Sequence, residues 1–146
     1  MLERDAILAK ISIIKNCLGT IQKVTGLDPA KLDDFMVEDV FVLNLQRSIQ
    51  ASIYLANIII AKEGWRLPSS YKDSFKELFN QKIIDQKTCD QMSRMVGFRN
   101  IAVHEYQELK REILASILQN NLKDLEKFYS VIYGRFINAE EHGPCR

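Results

Sequence analysis

The side chains best suited to chemistry lie in one short run, where Arg99, Asn100, His104 and Tyr106 fall within eight residues. An arginine side chain carries a permanent charge and a fork of donors that fits a phosphate, and a histidine titrates near neutral pH. A guanidinium that holds phosphate and an imidazole that moves a proton are two parts of a site that cleaves phosphodiesters. The run therefore predicts such a site, with the amide and the phenol in supporting roles.

The same run lies at the predicted end of a helix of about residues 87–104. At about 100° per residue, Asn100 lies about 100° and His104 about 140° from Arg99 around the helix axis. If the helix continued through Tyr106, its phenol would return to within about 20° of Arg99. One phosphate would then contact guanidinium, imidazole and phenol together.

Plainer roles for single residues of this helix stay open. A lone histidine near a helix C-terminus is often only a favourable partner of the helix dipole, and the Tyr106 ring could simply anchor a loop to the core. Gly97 costs about 1 kcal/mol relative to alanine inside a helix. Either the close approach of another backbone or a substrate, or relief of crowding between packed helices, would account for it.

Composition places the chain among ordinary soluble proteins. It has 146 residues, of which 47% are hydrophobic and 27% charged, and twenty basic against nineteen acidic residues give a net charge of +1. A nucleic-acid role must therefore rest on a local patch. The three cysteines fit a reducing compartment, and we find no leader or membrane-spanning pattern. We expect a cytoplasmic protein with no membrane association, no metal site and no cofactor.

Apolar spacing predicts an all-α fold, an up-and-down bundle of four to five main helices in one domain of residues 1–139. Residues 140–146 should form a flexible C-terminal tail. Long helices are expected over about residues 2–24 and 38–62, the second in the centre of the bundle. Gly64 can end the second long helix, and Ser69 or Ser70 can cap a shorter helix with Tyr71, Phe75, Leu78 and Phe79 facing inward. Asp85 is a candidate cap for the helix over about residues 87–104. Further helices are expected over about residues 110–118 and after a break or cap at Asn120 and Asn121.

The predicted central helix carries a second line of side chains that is polar where a buried helix would be apolar. The line consists of Arg47, Gln50, Tyr54 and Asn57 at helical spacing. It could form the opposite wall of a cleft facing Arg99, or it could be a wetted dimer rim or a solvated strip. The neighbouring carboxylates Glu38 and Asp39 are expected at an exposed helix end, solvated rather than paired with each other for catalysis.

Metal-free cleavage of RNA needs a base, an acid and cations that stabilise the transition state. His104 can fill one proton-transfer role, but the other histidine of the sequence, His142, falls in the predicted tail. A symmetric dimer would supply two copies of the motif to one cleft. The sequence thus predicts a composite site made by pairing.

The run also resembles a known family. Arg99-Asn100-x-x-x-His104-x-Tyr106 matches the Arg-x4-6-His signature, in its His-x-Tyr form, of the HEPN superfamily, and nearly the whole chain resembles its HepT-type toxin branch. The likeness includes the loop of residues 62–71 and the helix with Phe75. Position 58 departs from the family pattern, because related chains often carry a histidine there and this chain has Ile58. The central helix therefore supplies no second histidine.

That resemblance implies a dimeric, metal-independent endoribonuclease that acts as the toxin of a type II or VII-like pair. Its expected partners are RNA, a second copy of itself and a minimal nucleotidyltransferase antitoxin. Arg99 would hold the scissile phosphate, His104 would transfer a proton and Asn100 would assist, while Tyr106 resembles the tyrosine to which the antitoxin adds AMP. The alternatives are a non-catalytic helical adaptor that binds a nucleotidyltransferase or a nucleotide, and a purely structural dimerisation module.

Overall fold

A computed structural model describes residues 2–106 and 109–138 of the chain. Within these ranges the secondary structure is helical and no strand occurs, so the all-α prediction is confirmed. None of the described helices is long and apolar enough to cross a bilayer. The predicted tail of residues 140–146, with His142, lies outside the described residues, and the domain boundary before it stays a prediction.

The helices follow one another with short connections. They are α1 (Leu2–Thr25), α2 (Phe35–Glu63), α3 (Tyr71–Asn80), α4 (Gln86–His104), α5 (Arg111–Ser116) and α6 (Leu122–Ile132). The chain passes from α5 to α6 through a π-helical turn at Ile117–Asn121, and α6 ends in a second one at Tyr133–Asn138. With α5 and α6 counted as one continuous helix, the described part of the chain has the five main helices of the predicted bundle.

Helix α2 is the centre of the fold, as its apolar pattern predicts. It packs against α1, α3, α4 and α6, and its Leu45, Ile49 and Ile53 side chains are completely buried. Gly64 ends the helix in the left-handed region, at φ 71°, where glycine has no steric penalty.

The start of α2 lies three residues before the predicted position. The Asp34 carboxylate accepts a hydrogen bond from the Met36 amide and caps the helix. Phe35 and Met36 are exposed, so they fall outside the buried stripe on which the predicted boundary was based.

The two helices that carry the site region begin at side-chain caps. Ser70 accepts a hydrogen bond from the Asp73 amide at the start of α3, and Asp85 accepts one from the Thr88 amide at the start of α4. Of the two serines that the sequence offers as caps for α3, Ser70 is the one used.

The structure corrects the expectations for Tyr71 and for a break at Asn120 and Asn121. Tyr71 does not face inward but is 37% exposed. The chain also does not break at Asn120 and Asn121, because a wide π-helical turn keeps the backbone helical there. Asn121 does stand at the N-cap position of α6, but it makes no capping hydrogen bond, and its Nδ2 donates to Asp124 Oδ2 instead.

Candidate active site

Arg99 occupies the core-facing stripe of α4, where the spacing of Met92 and Val96 predicts an apolar residue. Its guanidinium lies 5.0 Å from the centre of the Tyr71 ring, a cation–π contact, and its Nη1 donates a 3.1 Å hydrogen bond to Asn100 Oδ1. The Arg99 Nε is buried and has no hydrogen-bond partner among the described residues. A buried donor without an acceptor costs about 1–3 kcal/mol, so its presence calls for an explanation outside the folded chain.

Helix α3 connects Arg99 to the central helix. Tyr71 contacts the Arg99 guanidinium, and one turn later Ser74 donates a 2.6 Å hydrogen bond to Asn57 Oδ1 of α2. Residues three apart share one helix face, so a single face of α3 contacts both α4 and α2. This face fixes the position of Arg99 relative to the core.

His104 is the last residue of α4, and its side chain is exposed. It lies five positions after Arg99 in the chain, which corresponds to about 7.5 Å along a helix axis. The imidazole therefore lies at the open end of the helix, while the guanidinium lies deeper. This arrangement leaves the imidazole accessible to a substrate or to a second protein chain.

Helix α4 does not continue through Tyr106, so the phenol does not return to the side of the helix on which Arg99 lies. Glu105 leaves the helical conformation, with φ −139° and ψ 53°, and ends the helix. The Tyr106 hydroxyl instead donates a 2.7 Å hydrogen bond to Asp39 Oδ1 on α2. Burial and the carboxylates of Asp39 and Glu38 raise the pKa of Tyr106 to about 12.

Glu38 and Asp39 lie in the first two turns of α2, where Asp39 is exposed as expected and Glu38 is half-buried, and each has a partner. Asp39 accepts the phenolic hydrogen bond, and the Glu38 carboxylate lies 3.7 Å from Arg111 Nε in an ion pair. Asp39 and Tyr106 are separated by 67 positions in the chain. No local pattern in the sequence relates them, and only the packing of α2 beside the end of α4 does so.

The polar line on α2 divides between two neighbours. The Tyr54 ring lies 5.1 Å from Lys10 Nζ of α1, whereas Asn57 is bonded to Ser74 of α3. Arg47 is exposed, and Gln50 is half-buried with its Nε2 lacking a partner among the described residues. The role of this line as a cleft wall stays a prediction.

Gly97 has no crowding to relieve within the described chain. A Cβ atom added there would meet only Lys72 Nζ, at the ordinary contact distance of 3.9 Å. Of the two explanations that the sequence leaves open, the structure therefore favours the approach of something other than this chain. Gly97 lines a mainly apolar cavity of about 610 Å³ between α4 and α5, whose rim includes Lys72 and Arg94.

Basic side chains gather around this part of α4. Lys72 also lines a second cavity of about 500 Å³, together with Tyr71 and Asn100. With Arg94 and Arg99, it forms a local group of cations in a chain whose net charge is only +1. Sequence reasoning missed Lys72 and Tyr71, because they belong to α3 and reach the site only through packing.

Comparisons with known proteins point to one family. A family model described as "Ribonuclease HepT-like" matches residues 14–132. The chain is 42% identical over 128 residues to the mRNA nuclease HepT of Shewanella oneidensis, a match that covers 88% of this chain and 96% of that protein.

Solved structures give the same result. A tri-AMPylated HEPN toxin of Shewanella oneidensis in complex with MNT antitoxin is 42% identical, with a TM-score of 0.84, and the match covers 89% of this chain and 98% of that one. A toxin–antitoxin structure with AMP-PNP is 41% identical over the same shares, also with a TM-score of 0.84. The Bacillus subtilis cytosolic protein YutE, of unknown function, is 19% identical with a TM-score of 0.81 over 98% of this chain and 95% of that one, a likeness of fold alone.

Proposed function

The chain belongs to the ribonuclease HepT-like family, as the run from Arg99 to Tyr106 predicts, and on that premise we propose that it is a metal-independent endoribonuclease toxin. Two copies pair so that each contributes its Arg99 and His104 to one cleft. The observation that carries the proposal is the buried Arg99 Nε, a cationic donor that lacks an acceptor among the described residues.

Arg99 binds the scissile phosphate of the RNA. Its guanidinium is held by the Tyr71 ring and by Asn100, so little side-chain freedom is lost when a phosphate binds. The positive charge of the guanidinium stabilises the negative charge that accumulates on the phosphate oxygens in the transition state. Asn100 supports this role by fixing one nitrogen of the guanidinium.

His104 transfers a proton, either from the 2′-hydroxyl or to the leaving 5′-oxygen. An exposed imidazole at a helix end can be reached by substrate, and an imidazole can both accept and donate a proton. One such group per chain fills one of the two roles. The second histidine comes from the second copy, which is why the active form is a homodimer.

The antitoxin of this toxin is a minimal nucleotidyltransferase that adds AMP to Tyr106. The similar HEPN toxin of Shewanella oneidensis is tri-AMPylated and in complex with MNT antitoxin, which supports this part of the proposal. Tyr106 is 46% exposed and lies two residues after His104, so a bulky phosphate group there would block RNA from the imidazole. We place the pair in the cytoplasm, where RNA and nucleotide are both available.

The cleavage proposal is tested with purified wild type, Arg99→Ala and His104→Ala incubated with total RNA in EDTA. We expect the wild type to cleave and both variants to lose at least about 100-fold in rate. Arg99→Ala lacks the cation that stabilises the transition state, and His104→Ala lacks the group that transfers a proton. Arg135→Ala, which removes an exposed arginine from the turn that follows α6, is the control and should retain activity.

If unmodified wild type leaves the RNA intact, the protein is a non-catalytic adaptor and the proposal fails. Assembly is measured on the same samples by light scattering. A particle of twice 16.9 kDa is expected. A monomer that still cleaves RNA would contradict the composite site while leaving the ribonuclease activity in place.

A further inference from the structure

The hydrogen bond between Tyr106 and Asp39 joins the second residue after α4 to the second turn of α2. The phenol donates and the Asp39 Oδ1 accepts, over 2.7 Å. That distance lies within the 2.6–3.2 Å at which a general base can take a proton. Asp39 has no ion pair among the described residues, whereas Glu38 beside it is paired with Arg111.

Both partners of this hydrogen bond are open to solvent. Tyr106 is 46% exposed, and together with Asp39 it lines an open cavity of about 480 Å³ whose other walls are Val42, Leu43 and Gln46 of α2. A nucleotide can therefore approach the phenolic oxygen without any rearrangement of the helices. The hydroxyl oxygen also keeps a lone pair for attack, because it uses only its hydrogen with Asp39.

The phenol is a weak nucleophile without help. Burial and the nearby carboxylates raise the pKa of Tyr106 to about 12, so roughly one molecule in 10⁵ carries a phenolate at pH 7. A phosphoryl acceptor with so little anion needs a base that removes the proton as the new bond forms.

We propose that Asp39 is the base that accepts the phenolic proton when Tyr106 is adenylylated. The inference rests on the modification of Tyr106 in the proposed function, with a nucleoside triphosphate as donor. The Tyr106 oxygen forms a bond to the α-phosphorus as the bond from that phosphorus to the pyrophosphate oxygen breaks. Pyrophosphate leaves with the electron pair, and the proton passes to Asp39 Oδ1.

The reaction also removes the contact that made it possible. The modified oxygen has no hydrogen to donate, and its new phosphodiester is negatively charged beside Asp39 and Glu38. Like charges at this distance repel. Modification therefore separates Tyr106 from α2, and the adenylyl group is directed away from the carboxylates.

The test compares wild type with Asp39→Asn, Asp39→Glu and Asp90→Asn, each incubated with the partner nucleotidyltransferase and ATP. Mass spectrometry follows AMP on the Tyr106 peptide with time. Asp39→Asn keeps the shape and an acceptor oxygen but cannot take a proton, so we expect at least about a 100-fold slower reaction. Asp39→Glu should recover part of the rate, and Asp90→Asn, the same change at an exposed carboxylate of α4, should match wild type.

The pH dependence of the rate separates proton transfer from mere positioning. The rate deficit of Asp39→Asn should shrink as the pH rises and phenolate forms without a base, whereas a purely positioning role would leave the deficit constant. A further readout shows that Asp39 acts on the phenol in solution. In ¹³C-tyrosine NMR titrations, Asp39→Asn should lower the pKa of Tyr106 towards the ordinary tyrosine value, because one of the carboxylates that raise it is gone. Equal thermal midpoints for the asparagine variants show that both are folded.

Two results would overturn the inference, and they are distinguishable. If AMP accumulates on Tyr106 of Asp39→Asn as fast as on Asp90→Asn, Asp39 is not the base and the modification stands. If AMP on the wild type maps to another residue, both this inference and the proposed role of Tyr106 fail, while RNA cleavage by Arg99 and His104 is unaffected.

Discussion

The inward faces of α2 and α4 are built for different purposes. On α2, Leu45, Ile49 and Ile53 repeat at helical spacing, and all three are fully buried. On α4, the stripe of Met92 and Val96 continues into Arg99, whose Nε is buried without a partner among the described residues. The first helix buries an apolar stripe, and the hydroxyls of its buried Ser48 and Ser52 donate to its own carbonyls. The second gives up stability at one position to hold a cationic donor.

This difference explains where the candidate site lies. A charge at the centre of α2 would be enclosed on several sides by other helices and could meet no ligand. Near the end of α4 the same charge has the core behind it and the exposed His104 one and a half turns further on. The candidate site therefore lies where a well-packed helix comes to its end.

The largest effect expected from this comparison is on stability. Ile53→Ala should lower the free energy of unfolding by about 2–5 kcal/mol, because it leaves a cavity in the core. Arg99→Met, which replaces a buried unpartnered donor with an apolar chain of similar length, should leave that free energy within about 1 kcal/mol of wild type or raise it. Urea denaturation measures both, and a loss above 2 kcal/mol for Arg99→Met would show that Arg99 serves the core after all.

A smaller effect concerns Gly97. Gly97→Ala should raise the free energy of unfolding by about 1 kcal/mol, because alanine favours the helix and the added methyl group meets only Lys72 Nζ at 3.9 Å. If RNA or a second copy packs on this face, the same variant cleaves RNA more slowly.

Gly19→Ala is the matched control for that change, since it lies inside α1 with nothing within 4 Å of its new methyl group. It should give the same stabilisation with unchanged cleavage. If Gly97→Ala and Gly19→Ala cleave RNA equally fast, Gly97 serves packing within the chain and not contact with RNA or a second copy.

The smallest effect is a pH dependence at the junction of α2 and α4. The pKa of Tyr106 is raised to about 12 in the folded protein, against 10.0 for a free tyrosine. A raised pKa means that the stabilisation is complete below pH 10 and is lost as the pH rises towards 12. Because Tyr106 is nearly half exposed, solvent limits the loss to less than about 1 kcal/mol.

Urea unfolding at pH 9 and pH 11.5 checks this, with Tyr106→Phe as the control. The wild type should lose more stability between the two pH values than the phenylalanine variant does. Identical losses would mean that the hydrogen bond to Asp39 contributes nothing to folding.

Local signals in the sequence were sufficient for most of the helices. Side-chain caps at Ser70 and Asp85 and the glycine at position 64 are read directly from residue type, and the structure has them in those roles. The predicted start of α2 is too late because the helix is capped at Asp34 and begins with Phe35 and Met36, which are exposed and belong to no buried stripe. The sequence does not predict the π-helical turn at residues 117–121, because Asn120 and Asn121 can lie inside a helix as well as end one.

The sequence alone determined the family, the all-helical fold and the run that ends α4, since these depend on residue types a few positions apart. The tertiary structure decided what each member of the run contacts. Arg99 lies against Tyr71 from α3, His104 is open at the helix end, and Tyr106 is bonded to Asp39 at a separation of 67 positions. Contacts of that kind depend on how helices pack, which no pattern of neighbouring residues specifies.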